Sequence, residues 1–305
     1  MSELVEVWRG GVNAWECDEN GHMNTRFYVH RACEGLVMLF ARCGLPGLYA
    51  PAAPTTPVIR DMHIRFHREA LLAAPLRMRG GFFAHDEARA QAVLVMEDLR
   101  SGEVKATFRI ALDHADSADA TTLHPWPAGF DPVRVAVPDN ALPRGTADGP
   151  VESAADINRA QGLMCIAAGA IGTEKLDAFG RMAAPGFIGA VSDGIRSLTA
   201  PLREIVSRTT ATPVEQMGGA VVEFRVLHLD WPRAGDVFEI RSGLASVDGH
   251  VKSLIHWMLN PVSGQIYGSM QSIALDFDLG KRAMIKLTPE TRAELQAHVV
   301  PGLTL

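Results

Sequence analysis

The sequence predicts an α+β fold: two tandem copies of one unit, each an antiparallel sheet wrapped around a long central helix. Three observations predict it. The chain repeats itself, with Gly180 answering Gly21 and Gly194 answering Gly35. Both copies carry an apolar stripe with the spacing of one helix face. Both then change to the apolar–polar alternation of strands.

The repeat begins without a gap. Moving the chain by 159 residues places Asp18 on Asp177, Met23 on Met182, Tyr28 on Phe187, Val29 on Ile188 and Glu34 on Asp193. Each helix follows from its stripe: Val29, Ala32, Leu36, Leu39 and Cys43 in the first copy, Ile188, Val191, Ile195, Leu198 and Leu202 in the second. The +3, +4 spacing keeps these on one face. A short strand, Leu4 to Arg9, precedes the first helix. Met62, Ile64 and Phe66 alternate with His63, Arg65 and His67 as a strand would. Gln91 to Glu97 and Thr107 to Asp113 read as two more, turning at Ser101-Gly102. Second-copy strands are predicted at Val222 to Leu229, Val237 to Leu244, His250 to Leu259 and Gln265 to Phe277, with Ser263-Gly264 as the turn. Past the helix the offset becomes 162, as in Gly81 and Gly243. The last strand matches best at 163, where Ile110-Ala-Leu-Asp113 meets Ile273-Ala-Leu-Asp276.

Pro125, Pro127, Pro132, Pro138, Pro143 and Pro150 exclude regular helix or central strand between the copies. The expected division is residues 1–114 for the first unit, 115–151 for a Pro-rich linker and 152–305 for the second unit. A closing helix is expected from Thr288, which can cap, with Pro289 in its first turn. Fusion supplies the partner that a single-copy protein finds by dimerising, so the copies are expected to pack as a pseudo-dimer. Further assembly into a homo-oligomer stays open.

Hydrophobic residues make up 47% of the chain and charged residues 21%, enough apolar surface for sizeable cores. The net charge is −6 and no basic block occurs, so nucleic acid is not an expected partner. The start, MSELVEVWRG, has no signal-peptide pattern, and no apolar run is long enough for a membrane span. Cys17, Cys33, Cys43 and Cys165 lack metal spacing, which suggests a reduced, cytoplasmic chain without a metal site. His63 and His67 on a strand are too far apart to share an ion. His250 and His256 read as strand-surface or interface residues. No cofactor-binding pattern occurs, and no cofactor is expected.

The chemistry concentrates in WECDENGHMNTRFY, residues 15–28. Asp18, Asn20, His22 and Asn24 gather around Gly21, just before a buried helix. Helix N-termini present unpaired N–H groups and the positive end of a dipole. Here the first amides fall around Asn24, Thr25 and Arg26, suited to a developing oxyanion. Asp18 reads as a turn residue or as an acid that attacks directly or activates a water. His22 reads as structural, or as a group that orients water or protonates a leaving group. Asn24 reads as a helix cap or as a group that positions a carbonyl. The second copy keeps the acid, Asp177, but has Arg181 for His22 and Ala183 for Asn24.

The pattern Asp18-Glu-Asn-Gly21-His22-Met23-Asn24, followed by Tyr28 and a long helix, resembles the hotdog-fold acyl-CoA thioesterases, including the 4-hydroxybenzoyl-CoA thioesterase family. The resemblance implies two tandem hotdog domains, an acyl-CoA substrate, Asp18 as the catalytic acid, and one complete site beside a degenerate one. Pro185 to Gly194 resembles a second clade, in which an acid at this position faces the helix N-terminus of the opposite subunit. That implies Asp193 toward the Asn24–Thr25 end, and Glu34 toward the Pro185–Gly186 end. The catalytic candidates are therefore Asp18, His22, Asn24 and Asp193. The oxyanion or substrate-binding candidates are Thr25, Arg26, Glu34 and Gly186. The alternatives are a hotdog hydratase or dehydratase and a non-hydrolytic acyl-thioester binding protein.

Overall fold

The computed structural model describes residues 2–18 and 21–305. Glu19 and Asn20 of the motif lie outside the described residues. The chain forms two compact units. The first comprises Met1–Leu142, Gly172–Gly189 and Trp231–Ala234; the second comprises Pro143–Ile171, Ala190–Asp230 and Gly235–Leu305. The second copy of the motif therefore belongs to the first unit.

Strand β1 (Val5–Gly11) leads to a 3-10 turn (Ala14–Glu16), the motif loop and helix α1 (Thr25–Arg42). Strands β2 (Thr55–Phe66), β3 (Pro75–His85), β4 (Arg89–Asp98) and β5 (Val104–Asp116) follow. They hydrogen-bond antiparallel in the order β1-β3-β4-β5-β2. The α1 stripe is buried at all five predicted positions. Strand β3 escapes sequence reading because it opens at Pro75 and carries Gly80-Gly81, which look like breakers. The glycines are there for space. A Cβ on Gly80 would stand 2.3 Å from the Leu94 side chain, and one on Gly81 would stand 2.5 Å from Val135.

Strand β2 is buried on both faces, so the polar half of its alternation is not solvated. Arg65 is buried, and its guanidinium donates to the carbonyls of Asn140 and Leu142 at 2.8 and 2.9 Å. The Pro-rich segment supplies these acceptors, and its Val135 and Ala141 pack on Val93. Paired in this way, a cation can be buried without stranding its donors.

The later elements are α2 (Ile157–Ala160), β6 (Met164–Ala170), α3 (Ala184–Thr210), β7 (Met217–His228), β8 (Val237–Asp248), β9 (Val251–Leu259), β10 (Ile266–Asp278), β11 (Ala283–Met284) and α4 (Pro289–Gln296). The strands of the second unit run β7-β10-β9-β8-β6, the same order as in the first when corresponding strands are matched. Helix α4 opens as predicted, with Thr288 capping the Thr291 amide and Pro289 in the first turn. Among the described residues, no helix is long and apolar enough to cross a membrane.

The repeat extends to the irregularities. Val7 and Ile166 are bulged, as are Arg60 and Val222, and Lys105 and Tyr267. The last two pairs lie 162 apart, and so do the bulged positions of β3 and β8. This corrects the sequence alignment of the last strand. Val95 pairs with Thr107, and Trp257 pairs with Ser269, so the register continues at 162 rather than 163. The Ile-Ala-Leu-Asp match is a one-residue slip, which would turn each side chain to the other face. Helix α3 runs to Thr210, well past the residue that answers the end of α1.

Both helices approach their sheet through an equivalent glycine. A Cβ on Gly35 would lie 3.0 Å from Met78 Sδ and 3.3 Å from Val7; one on Gly194 would lie 2.1 Å from the Ile166 carbonyl oxygen. His256, expected near a surface, is instead 0% exposed on β9. Its Nδ1 meets Ser242 Oγ at 2.8 Å and its Nε2 meets Ser272 Oγ at 3.0 Å. The strand pattern alone does not reveal this, because the two serines come from the flanking strands.

Candidate active site

The motif loop is a closed turn. Asp18 Oδ1 accepts the His22 amide at 3.1 Å, Asp18 N donates to the His22 carbonyl at 2.8 Å, and Gly21 N donates to the Asp18 carbonyl at 3.0 Å. Gly21 has φ +77°. That left-handed conformation is where glycine has no Cβ penalty. The second copy repeats the turn: Asp177 Oδ1 accepts from Phe179 N at 2.8 Å and Arg181 N at 3.0 Å, and Gly180 has φ +73°. Fixing the turn is thus a role the two acids share. What differs between the copies is the side chain that each turn presents.

In the first copy that side chain is His22. Its Nε2 lies 3.3 Å from Glu69 Oε2, so a carboxylate orients the imidazole from one edge. The pairing is reinforced by backbone contacts: Met23 N donates to the Ala70 carbonyl, and Leu72 N to the Gly21 carbonyl. Tyr28, the aromatic of the motif, joins α1 to the same segment. Its buried hydroxyl accepts the Ala70 amide at 3.1 Å, and its ring meets Phe66 edge-on at 5.1 Å. Burial raises the Tyr28 hydroxyl well above its ordinary range, so it remains neutral.

Asn24 is the N-cap of α1, its Oδ1 accepting Arg26 N at 3.0 Å. Its own amide donates to the Glu16 carbonyl at 2.8 Å, and Phe27 N donates to the Asn24 carbonyl at 2.9 Å. The amides of Asn24 and Arg26 are therefore engaged within the chain. Thr25 opens the helix between them, at the positive end of its dipole. The Arg26 guanidinium lies over the Phe27 ring at 4.8 Å, and its stem faces Gly189 of α3, 3.5 Å from where a Cβ would stand.

Behind the loop, Glu16 is fully buried. Its Oε2 accepts both nitrogens of Asn13, backbone at 2.7 Å and side chain at 2.9 Å, and its Oε1 pairs closely with Arg31. Arg31 in turn holds Glu34 at 2.9 and 3.1 Å and lies over the Trp8 ring at 5.3 Å. Glu34 is therefore ion-paired and 40% exposed at its side chain. Gly186 donates its amide to the Ala183 carbonyl at 2.8 Å and packs against Met182. Asp193 is an exposed position of α3 in the second unit.

The structure thus brings together Asp18, His22, Asn24, Thr25 and Arg26 at one helix end, with Glu34 on the same helix further along. Sequence reasoning missed Glu16 and Glu69. Asn13-x-x-Glu16 is a capping-box pattern and could have revealed the first. Glu69 follows β2 far along the chain and carries no local signal.

Residues 12–137 match the profile of the thioesterase-like superfamily. No curated protein matches the chain in sequence. Among solved structures, an acyl-ACP thioesterase from Bacteroides thetaiotaomicron is similar over 88% of this chain and 96% of its own, at 10% identity and a TM-score of 0.64. A 12:0-ACP thioesterase from Umbellularia californica is similar over 88% and 93%, at 10% identity and a TM-score of 0.63. These likenesses show a shared antiparallel α+β fold. The superfamily match spans less than half of the chain.

Proposed function

We propose that the chain is a tandem double-hotdog acyl-CoA thioesterase with one hydrolytic site, at the Asp18–Arg26 segment. The observation that carries this reading is the contrast between two turns closed by the same hydrogen bonds. One presents His22 oriented by Glu69, ahead of an Asn-capped helix. The other presents Arg181, neutralised by Asp177.

The acyl carbonyl sits at the N-terminus of α1, where the helix field around Thr25 and Arg26 favours the developing oxyanion. Asp18 supplies the oxygen nucleophile, either its own carboxylate oxygen or that of a water it deprotonates. Attack at the carbonyl carbon gives a tetrahedral intermediate. Its collapse breaks the C–S bond, and His22 protonates the departing thiolate. In the carboxylate route, water then cleaves the mixed anhydride. Both routes consume one water and yield the free acid and CoA. Asn24 holds the helix end in place, and Asp193 and Glu34 are reserve acids on the second clade's pattern. No cofactor enters either route.

Thiol release from short, medium, long and aromatic acyl-CoAs, with acyl carrier protein thioesters alongside, tests the reading. Release that Asp18→Asn abolishes supports it. Loss of activity in Asp193→Asn with full activity in Asp18→Asn moves the chemistry to the other acid. Hydration of an enoyl-CoA without thiol release points to a hydratase. Single-turnover hydrolysis in ¹⁸O water bears on the route: label on Asp18 requires a mixed anhydride opened at the Asp18 carboxyl carbon, whereas label only in the product acid fits the water route or an anhydride opened at the acyl carbon.

A further inference from the structure

The two copies of the motif differ behind the loop as well as in it. Glu16, shortly before Asp18 in the chain, is 0% exposed. It holds α1 at two points. Its carbonyl accepts the Asn24 amide at 2.8 Å, and its carboxylate pairs with the Arg31 guanidinium. Asn24 and Arg31 lie on one face of the helix, about 10 Å apart along its axis. The remaining contacts brace this pair. The second carboxylate oxygen of Glu16 accepts both nitrogens of Asn13, and Arg31 is held from the other side by Glu34 and by the Trp8 ring.

The second copy has none of the side chains that make the pair. At the 159-residue offset, Trp8, Asn13, Glu16 and Arg31 become Ala167, Gly172, Lys175 and Ala190. The backbone contact remains, with Ala183 N donating to the Lys175 carbonyl at 2.9 Å. The turn remains too: Asp177 N donates to the Arg181 carbonyl at 2.7 Å, and Arg181 N donates to Asp177 Oδ1 at 3.0 Å. Neither the turn nor its seat on the helix therefore needs the ion pair. Net stability does not explain it either. Desolvating two charges offsets much of their attraction, and apolar replacements of a buried pair are often neutral or stabilising. What the pair adds is a second point of attachment. A single hydrogen bond lets a loop pivot about its anchor. Two attachments, about two turns apart on one helix face, fix its distance and its angle to the helix end. This addition belongs to the copy that carries His22.

We propose that Glu16 and Arg31 are positioning residues, which hold Asp18 and His22 at a fixed place relative to the N-terminus of α1. The inference rests on the thioesterase reading for what that geometry accomplishes. In that reaction Asp18 directs an oxygen at a carbonyl polarised by the helix end, so the separation of loop and helix sets the attack geometry. Both residues act through the loop rather than on the substrate.

Glu16→Gln with Arg31→Met removes both charges and strands neither, so the double variant is expected to fold, and thermal unfolding checks this. Glu16→Gln alone, which leaves Arg31 on Glu34, takes its place if the double variant unfolds. Native-state amide exchange, resolved by NMR, reads the attachment without any substrate. Protection at Asn24 should fall about tenfold in the variant and stay constant at Ala183. Unchanged protection at Asn24, or an equal loss at both amides, overturns the attachment. Thiol release then reads the consequence. The variant should lose about 100-fold in kcat with KM nearly unchanged, the scale of a misplacement of about 1 Å. An unchanged kcat, or a loss carried by KM, overturns the positioning role. Absence of thiol release from any acyl-CoA by the wild type sinks the thioesterase reading instead, and amide exchange alone then decides the attachment.

Discussion

His256 makes the second unit sensitive to acid, by an amount that can be worked out. Burial alone lowers its pKa from 6.5 to about 3. The imidazole is therefore neutral in the folded chain across the whole range in which the unfolded chain takes up a proton. A folded-state pKa below the unfolded one means that stability is fully present above pH 6.5 and is lost as pH falls from 6.5 toward 3. One proton contributes about 1.36 kcal/mol per pH unit. Lowering the pH from 7 to 5 should thus remove about 2 kcal/mol on account of this residue alone. The figure depends little on the folded-state value, so long as it stays well below 5. Gln at this position still reaches Ser242 and Ser272 but cannot titrate. Urea unfolding of wild type and His256→Gln at pH 7 and pH 5 isolates the contribution, because other titrating groups cancel in the difference. Wild type should lose about 2 kcal/mol more than the variant. Equal losses in both would refute the reasoning and place the proton elsewhere.

Three further outcomes are expected. Gly194→Ala should be far more destabilising than Gly35→Ala in thermal unfolding: the new methyl meets a backbone oxygen at 2.1 Å in one case and a movable Met78 side chain in the other, where overpacking amounts to about 1–3 kcal/mol. Asp276→Asn should destabilise by about 3–5 kcal/mol in chemical denaturation, since it strands Lys252, which is buried and holds both carboxylate oxygens at 2.7 Å. Glu69→Gln should lower kcat by about tenfold with little change in KM, because it frees the His22 ring without removing it; each decade corresponds to about 1.4 kcal/mol of barrier.

Much of the fold was legible because its signals are local. The α1 stripe is a helix period, the Ser-Gly turns mark hairpins, and the repeat related the two copies. Strand β3 was lost because Pro75 and Gly80-Gly81 look like breakers, whereas the two glycines make room for Leu94 and Val135 in a way that no local pattern encodes. The last strand was misregistered by an identity match that ladder geometry overrides. At the site, the motif placed Asp18, His22 and Asn24 together, since loop and helix end are contiguous. Glu69 came from outside the motif, and the partnering of Arg181 depends on side-chain geometry that the substitution of His22 by arginine does not reveal.

The most direct test of the central claim is thiol release from a panel of acyl-CoAs by wild type and Asp18→Asn, with unfolding of both followed in parallel. General acid–base or nucleophilic participation predicts a fall of about 10²–10⁴ in turnover, with stability nearly unchanged. Full turnover in the folded Asp18→Asn protein would contradict the account and leave Asp18 as the turn residue that Asp177 is in the second copy.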